Sequence, residues 1–285
     1  MTTDALVDAA PVTAPAAALR MRGARLAYGS RVLWDGLDLD IRPGEFLAVL
    51  GPNGSGKTSM LRVLLGQQPL SGGTVTIAGS APGKANNKIG YIPQQRAIDP
   101  NLTLRGRDLV GLGLDGHRWG LGLRGRAERR RRVEAALAEV GASDYADHPV
   151  GLLSGGEQQR LRVAQALVGD PQLLLCDEPL LSLDLAHQRV VSDLIDARRR
   201  AAGTAVLFVT HEINPVLPLV DRVLYLVNGR FRIGTPDEVM TSENLSELYR
   251  TPVDVLRVRG QIVVVGAHQE SHHCADTTPS PEVRP

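Results

Sequence analysis

The sequence predicts an α/β fold, a mostly parallel sheet flanked by helices, and three observations carry that prediction. Short continuous apolar runs recur at Phe46 to Leu50, Leu173 to Cys176 and Ala205 to Val209, with the length and character of strands buried on both faces. The first run ends in glycines before a helical stretch, Thr58 to Leu65, and each of the other two also precedes a helical segment, the strand-loop-helix order of an α/β unit. Between Arg96 and Leu153 the strand signal gives way to an apolar stripe, Val133, Ala136, Leu137 and Val140, at i, i+3, i+4 and i+7, so a helical insert interrupts the sheet.

Taken in chain order, residues 1–18 are rich in Ala, Pro and Thr and lack the basic start and apolar core of a secretory signal, which predicts a flexible leader. The main domain is expected over 19–240. Leu37, Leu39 and Ile41 alternate with Asp38, Asp40 and Arg42 before the Pro43-Gly44 turn, the period of a half-buried strand and the start of an antiparallel sheet. The helical insert occupies 96–153. A C-terminal helix and β element follow over 241–266, with two strand runs between Val253 and Val265 flanking Arg259-Gly260. Residues 267–285 are polar and Pro-containing, the composition of a disordered tail.

Of 285 residues, 43% are hydrophobic and 22% charged, which fits one large globular domain with appendages. No stretch approaches the roughly 18 uninterrupted apolar residues of a membrane helix, since the best candidate, Pro215 to Val227, is broken by Asp221 and Arg222. The net charge of +1 gives no reason to expect nucleic acid, despite the basic runs Arg129 to Arg132 and Arg198 to Arg200. The first of these begins an amphipathic helix and is expected to be its solvated face. Only Lys57, Lys84 and Lys88 are lysines, so a lysine inside a glycine-rich loop is not an accident of composition. Cys176 falls in a predicted buried strand and Cys274 in the tail, which argues against a disulfide framework and for a reducing compartment.

Gly51, Pro52, Asn53, Gly54, Ser55, Gly56, Lys57 and Thr58 fit the phosphate-binding pattern G-x-x-x-x-G-K-[ST], placed between an apolar strand and a helix. The glycines let backbone N–H groups turn inward around phosphate oxygens, the helix N-terminus adds positive potential, Lys57 reaches the terminal phosphates and Thr58 can ligate Mg²⁺. Asp177 and Glu178 close the run from Leu173, delivering two carboxylates at the C-terminal end of a strand, where ligands sit in open α/β sheets. Asp177 would hold Mg²⁺, and Glu178 would polarise the attacking water. Ser154, Gly155, Gly156 and Glu157, within Leu153 to Arg160, form a serine and two glycines at a helix start, a second cradle for an anion.

That last segment matches the signature of the ATP-binding cassette (ABC) ATPases, and the chain resembles this family from Leu19 to Gly234, with each motif in order. The resemblance implies an ABC ATPase fold: a P-loop NTPase core with an antiparallel β subdomain and a helical insert, here followed by the short C-terminal β element and tail. It places Tyr28 where an aromatic stacks on adenine. It places Gln94 where a glutamine contacts Mg²⁺ or the water, with Gln95 the neighbouring register. Ser182 and Asp184 fall in the D-loop, although Pro179-Leu180-Leu181 departs from the commoner wording, and His211 falls at the switch histidine that senses the γ-phosphate. Glu178, His211 and Gln94 are thus the expected catalytic group, with ATP and Mg²⁺ as cofactors.

The segments His211-Glu-Ile-Asn214-Pro215, Gly234 to Val239 and Leu248 to Val253 are similar to the zinc/manganese and iron uptake group. The implied protein is the ATP-hydrolysing subunit of a metal-ion importer at the cytoplasmic face of the membrane. Its implied partners are a second copy of itself, polytopic permease subunits and an extracytoplasmic metal-binding protein, with no nucleic acid. Another cargo or a non-transport ABC ATPase is the alternative. The translation-acting members carry two cassettes and the DNA-repair relatives carry long heptad arms, and this chain has neither. His268, His272, His273 and Cys274 gather soft ligands suited to Zn²⁺ in the tail, against the competing reading of a merely solvated segment.

Overall fold

A computed structural model describes residues 17–94, 99–115 and 125–266. The chain opens with the antiparallel strands β1 (Leu19–Tyr28) and β2 (Arg31–Ile41), then β3 (Phe46–Leu50) leads through the glycine loop into α1 (Lys57–Leu64). β4 (Gly72–Ile77) returns to pair with β1, completing a three-stranded antiparallel sheet in the order β2-β1-β4. As the alternation requires, Leu37, Leu39 and Ile41 are buried. β5 (Ile89–Ile92) then enters a second sheet.

Among the described residues between β5 and the next strand, the long elements are the helices α2 (Gly106–Asp115), α3 (Arg126–Glu139) and α4 (Gly155–Leu167). On α3, Val133, Ala136 and Leu137 are buried, and Val140 just beyond it is buried too, so the stripe faces the interior. Its basic run is engaged with its own surroundings: Arg130 pairs with Glu134 at 2.7 Å and Arg131 with Glu128 at 2.6 Å.

β6 (Leu173–Asp177), α5 (Leu185–Ala202), β7 (Ala205–Val209), β8 (Arg222–Val227) and β9 (Arg230–Gly234) complete a six-stranded sheet in the order β5-β6-β7-β3-β8-β9. All neighbours are parallel except β8 and β9. β3 is interior, and successive residues serve opposite faces. Phe46, Ala48 and Leu50 join the core beneath α4 and α5, while Leu47 and Val49 join the core shared with β1, β2 and α1. This double burial is why β3, β6 and β7 are continuous apolar runs. Cys176 lies in that interior, where burial pushes its thiol far above the usual range.

The helix expected after Ala205 to Val209 is absent. Among the described residues only a 3₁₀ turn, Leu217–Leu219, separates β7 from β8. Pro215 and Pro218 remove two backbone donors from this short connection and prevent a longer helix. The apolar stretch Pro215 to Val227 is accordingly shared between that turn and β8. Beyond β9 come α6 (Pro236–Val239), α7 (Ser242–Tyr249) and a hairpin of β10 (Asp254–Val258) and β11 (Gln261–Val265), turning at Arg259-Gly260. Among the described residues no helix is long and apolar enough to cross a membrane. Of the expected leader, 1–18, only the last two residues are described, and Ala18 is buried with its N–H donating to the Ile41 carbonyl at 2.8 Å, so Ala18 already belongs to the domain. The rest of the leader, Gln95 and the tail cluster His268, His272, His273 and Cys274 lie outside the described residues.

Candidate functional site

The parallel strands deliver the site residues to one edge of the sheet. Gly51 follows β3, Gln94 lies two residues past β5, Asp177 ends β6 and His211 lies two residues past β7. Because β5, β6, β7 and β3 are successive neighbours, these loops emerge side by side, and ligands bind at the carboxyl ends of such strands. A cavity of about 690 Å³ opens there, lined among others by Tyr28, Lys57, Thr58, Gln94, Glu178 and His211.

The phosphate-binding loop is prepared for an anion. α1 starts after Gly56, in the left-handed region at φ 102°, and no side chain caps its first turn, so its leading N–H groups keep the positive end of the helix available. The Ser55 hydroxyl is buried without a hydrogen-bond partner, an orphan that a phosphate oxygen would satisfy. Lys57 is buried, and its ammonium donates to the carbonyls of Gly51 at 2.6 Å and Pro52 at 3.0 Å. Burial lowers its pKa, against the charges of Glu178 and Asp177, which raise it. Asn53 and Gly54 line the same cavity.

Glu178 is the point of convergence. Its backbone takes a left-handed φ of 47°, unusual for a residue other than glycine, and its N–H donates to the Val209 carbonyl at 2.9 Å. Such a conformation persists only where the surroundings over-determine it, and functional sites collect such residues. One carboxylate oxygen, Oε2, accepts from Gln94 Nε2 at 3.4 Å and stands 3.6 Å from His211 Nδ1. The Glu178 side chain is 16% exposed and that of His211 is 53% exposed. Asp177 beside it is buried, and its carboxyl pKa is raised by burial and then by the charge of Glu178, against a hydrogen bond from Tyr91 and the charge of Lys57.

Thr58, Gln94 and Asp177 supply a hydroxyl, an amide oxygen and a carboxylate, hard oxygen donors of the kind Mg²⁺ accepts. Among the described residues no cluster of three His, Cys, Asp or Glu side chains could hold a metal unaided. Such oxygen donors suit an ion that shares its shell with phosphates and water, as Mg²⁺ does.

Tyr28 borders the cavity, 48% exposed, with its hydroxyl 2.5 Å from Gln68 Oε1 and 3.4 Å from Ser59 Oγ. Arg31, across the tight turn from Tyr28, also lines it and donates from Nη2 to the Gly54 carbonyl at 2.9 Å. Sequence reasoning missed Arg31, Leu33, Ser59 and Leu181, all of which line the cavity. Nothing in their local pattern distinguishes them from ordinary strand, helix and loop residues, and only the folding of β1 and β2 over the phosphate loop puts Arg31 there.

A second group stays apart. Ser154, Gly155, Gly156 and Glu157, with Ser182 and Asp184, do not line this cavity. Ser154 caps α4 in a reciprocal box, its Oγ accepting from the Glu157 N–H while the Glu157 carboxylate accepts from the Ser154 N–H at 2.8 Å. Asp184 caps α5, accepting from the His187 N–H and contacting His187 Nδ1, both at 2.8 Å. The starts of α4 and α5 meet at Gly156, where a Cβ would stand only 2.1 Å from the His187 ring.

Residues 34–181, more than half of the chain and inclusive of the phosphate loop, the Ser154 cap and Glu178, match the ABC transporter family profile. The chain belongs to the ABC transporter family. ABC ATPase domains bind ATP with Mg²⁺, consistent with the donor set described above. The chain is 38% identical over 251 residues to a phosphonates import ATP-binding protein of Anaeromyxobacter dehalogenans, covering 85% of this chain and 50% of that one. It is 31% identical over 271 residues to a zinc import ATP-binding protein of Pseudomonas putida, covering 90% and 98% respectively. The chain spans about half the length of the first curated relatives it matches, 50% and 55%. Among solved structures, an inward-facing ABC transporter assigned provisionally to the metal-chelate type superposes with a TM-score of 0.74 at 26% identity, over 87% of this chain and 96% of that one. A subunit of the cbiONQ transporter complex from Clostridium perfringens gives 0.68 at 26% identity, over 81% and 93%. In this ABC chain Tyr28 and His211 lie outside the span matched by the family profile, and both line the cavity.

Proposed function

We propose that this chain is the ATP-hydrolysing subunit of an ABC importer that works as a pair with a second copy of itself. The observation that carries the reading is the position of Glu178, which shares one carboxylate oxygen between Gln94 and His211 in the cavity that holds Lys57. ATP would place its phosphates against the loop from Gly51 to Thr58, drawing the Lys57 ammonium from the two carbonyls it now contacts. Tyr28 offers a ring to the adenine, and Arg31 a cation beside Gly54. Thr58, Gln94 and Asp177 would hold Mg²⁺, which neutralises charge developing on the terminal phosphates. Glu178 orients the attacking water and takes its proton. Gln94 and His211 hold the Glu178 carboxylate in place, and His211 presents its ring to the γ-phosphate. Ser154 to Glu157 of the second copy would close the site, and Ser182 and Asp184 line the contact between copies.

Within this reading the helical insert, 96–153, docks polytopic permease subunits at the cytoplasmic face of the membrane, and the core domain spans 19–240. The cargo we propose is a divalent metal ion delivered by an extracytoplasmic binding protein. This is supported by the wording around Asn214 and Val239 and by the zinc import relative matched over 98% of its length. Relatives named for phosphonate, aliphatic sulfonate and iron-hydroxamate import are comparably similar, so uptake of zinc, manganese or iron by the assembled transporter, in competition with those compounds, tests the cargo.

Glu178→Gln tests the chemistry. The amide keeps the side-chain shape but cannot take a proton, so phosphate release should fall by about 10²- to 10⁴-fold while ATP still binds. Turnover at the wild-type rate would remove Glu178 from its role.

A further inference from the structure

The switch histidine is held in place from an unexpected direction. The Asn214 amide makes two hydrogen bonds to a single residue of β11: Nδ2 donates to the Ile262 carbonyl at 3.0 Å, and Oδ1 accepts from the Ile262 N–H at 2.8 Å. A carboxamide carries donor and acceptor side by side, as a peptide group does, so Asn214 joins the C-terminal hairpin much as a neighbouring strand would. Three residues earlier stands His211. Its imidazole stands 3.6 Å from Glu178 Oε2, and the path of the loop decides where the ring stands.

That loop is pinned at both ends. At the β7 end the Thr210 hydroxyl donates to the Glu212 carbonyl at 2.8 Å and accepts from the Glu212 N–H at 3.1 Å. Next to Asn214, Ile213 is buried in the same core as Ile262. The hairpin is itself anchored independently of the loop: Ser246 Oγ bonds both the N–H and the carbonyl of Val253, and Ser242 Oγ accepts from the Val255 N–H at 2.9 Å. It is a fixed support to which the loop is tied.

We propose that Asn214 is the positioning residue of His211, locking the switch loop to the C-terminal hairpin so that the seating of the hairpin sets the approach of His211 to Glu178. The inference rests on the reading of Glu178 and His211 as the hydrolytic pair. It also gives the segment after β9 a part in turnover, although every phosphate-handling residue lies upstream of it.

The test uses the full chain with Asn214→Ala and Asn214→Asp. The aspartate is nearly isosteric and can accept from the Ile262 N–H, but it sets a carboxylate against the Ile262 carbonyl. Both variants should lower kcat by about 10- to 100-fold, the scale of a small misplacement in an active site. KM for ATP should stay within about twofold, the signature of an interaction outside substrate binding. The His211 imidazole resonance, assigned by its loss in His211→Gln, should shift in both. If alanine prevents folding, the aspartate variant decides. A lowered melting temperature with unchanged kcat and an unmoved His211 resonance would reduce Asn214 to a structural dock and overturn the proposal. Wild-type protein that releases no phosphate from ATP would instead defeat the underlying reading of the site.

Discussion

At Gly51 the backbone runs so close to the neighbouring strand that a Cβ would lie 2.0 Å from the Leu226 carbonyl oxygen, at a φ of 140° that L side chains avoid. Gly54, three residues on, shares a left-handed backbone, at φ 76°, but meets only the tip of the flexible Arg31 side chain, at 3.2 Å. The two glycines of one motif therefore answer to different constraints. Both alanines would carry the strain of a residue forced into an unfavourable backbone region, about 1–3 kcal/mol, and Gly51→Ala adds the clash with the Leu226 carbonyl, so urea unfolding should show a clearly smaller loss for Gly54→Ala. Equal losses would mean that the sheet beneath the loop yields. The placement of these residues was legible wherever motif residues are contiguous, as in Gly51 to Thr58 and Asp177-Glu178, because a strand followed by a turn fixes their direction. What could not be read was the sharing of Glu178 Oε2 by Gln94 and His211, or the reach of Arg31 to Gly54, since each depends on strands far apart in the chain lying side by side.

In α4 the residue proposed to meet a phosphate is also the helix cap. Ser154 caps the helix, and its hydroxyl also lies 2.8 Å from the Glu157 carboxylate, so it must turn away from Glu157 to meet a phosphate. Ser154→Ala should lower the stability of the isolated chain by about 1 kcal/mol, the usual effect of losing an N-cap. The hydrogen bonds from the Ser154 hydroxyl and backbone hold the Glu157 carboxyl below its ordinary 4.5. A folded-state pKa lower than the unfolded one stabilises the protein above the unfolded value, and the gain disappears as pH falls through the folded value. The stability gap between wild type and Glu157→Gln should thus be full at neutral pH and close below about 4.5, as thermal melts across that range would show; a gap that widened in acid would contradict the capping account. At this scale β3, β6 and β7 were legible because both faces are buried. β8 was hidden inside an apolar stretch, where the missing helix between Val209 and Arg222 is explained by Pro215 and Pro218. β1 lacked a clean alternation because its pairing with β2 carries register shifts at Met21, Ala24 and Leu26.

For the molecule as a whole, the division of its motifs is the decisive feature. Lys57, Thr58, Gln94, Glu178 and His211 surround one cavity, whereas Ser154 to Glu157 and Asp184 stand outside it, joined to one another through Gly156 and His187. On the proposed reading a single chain holds two half-sites, and the second half of each nucleotide site comes from another copy. If so, ATP that cannot be hydrolysed should join two chains. In Glu178→Gln, Lys57 and Thr58 still hold the phosphates while the general base is gone, so the ATP-bound pair should persist and appear by light scattering at twice the monomer mass. Lys57→Ala loses the ammonium that meets those phosphates, so nucleotide affinity and pairing should fail together. Comparing both variants with ATP and Mg²⁺, first alone and then assembled with the permease, separates a two-chain motor from an enzyme complete in one chain. Pairing of Lys57→Ala as tight as that of Glu178→Gln would show that contacts other than nucleotide hold the copies together. A Glu178→Gln protein that binds ATP yet never brings two copies into contact, even in the assembly, would leave the Ser154 cradle without a phosphate to bind and the sandwich model without support.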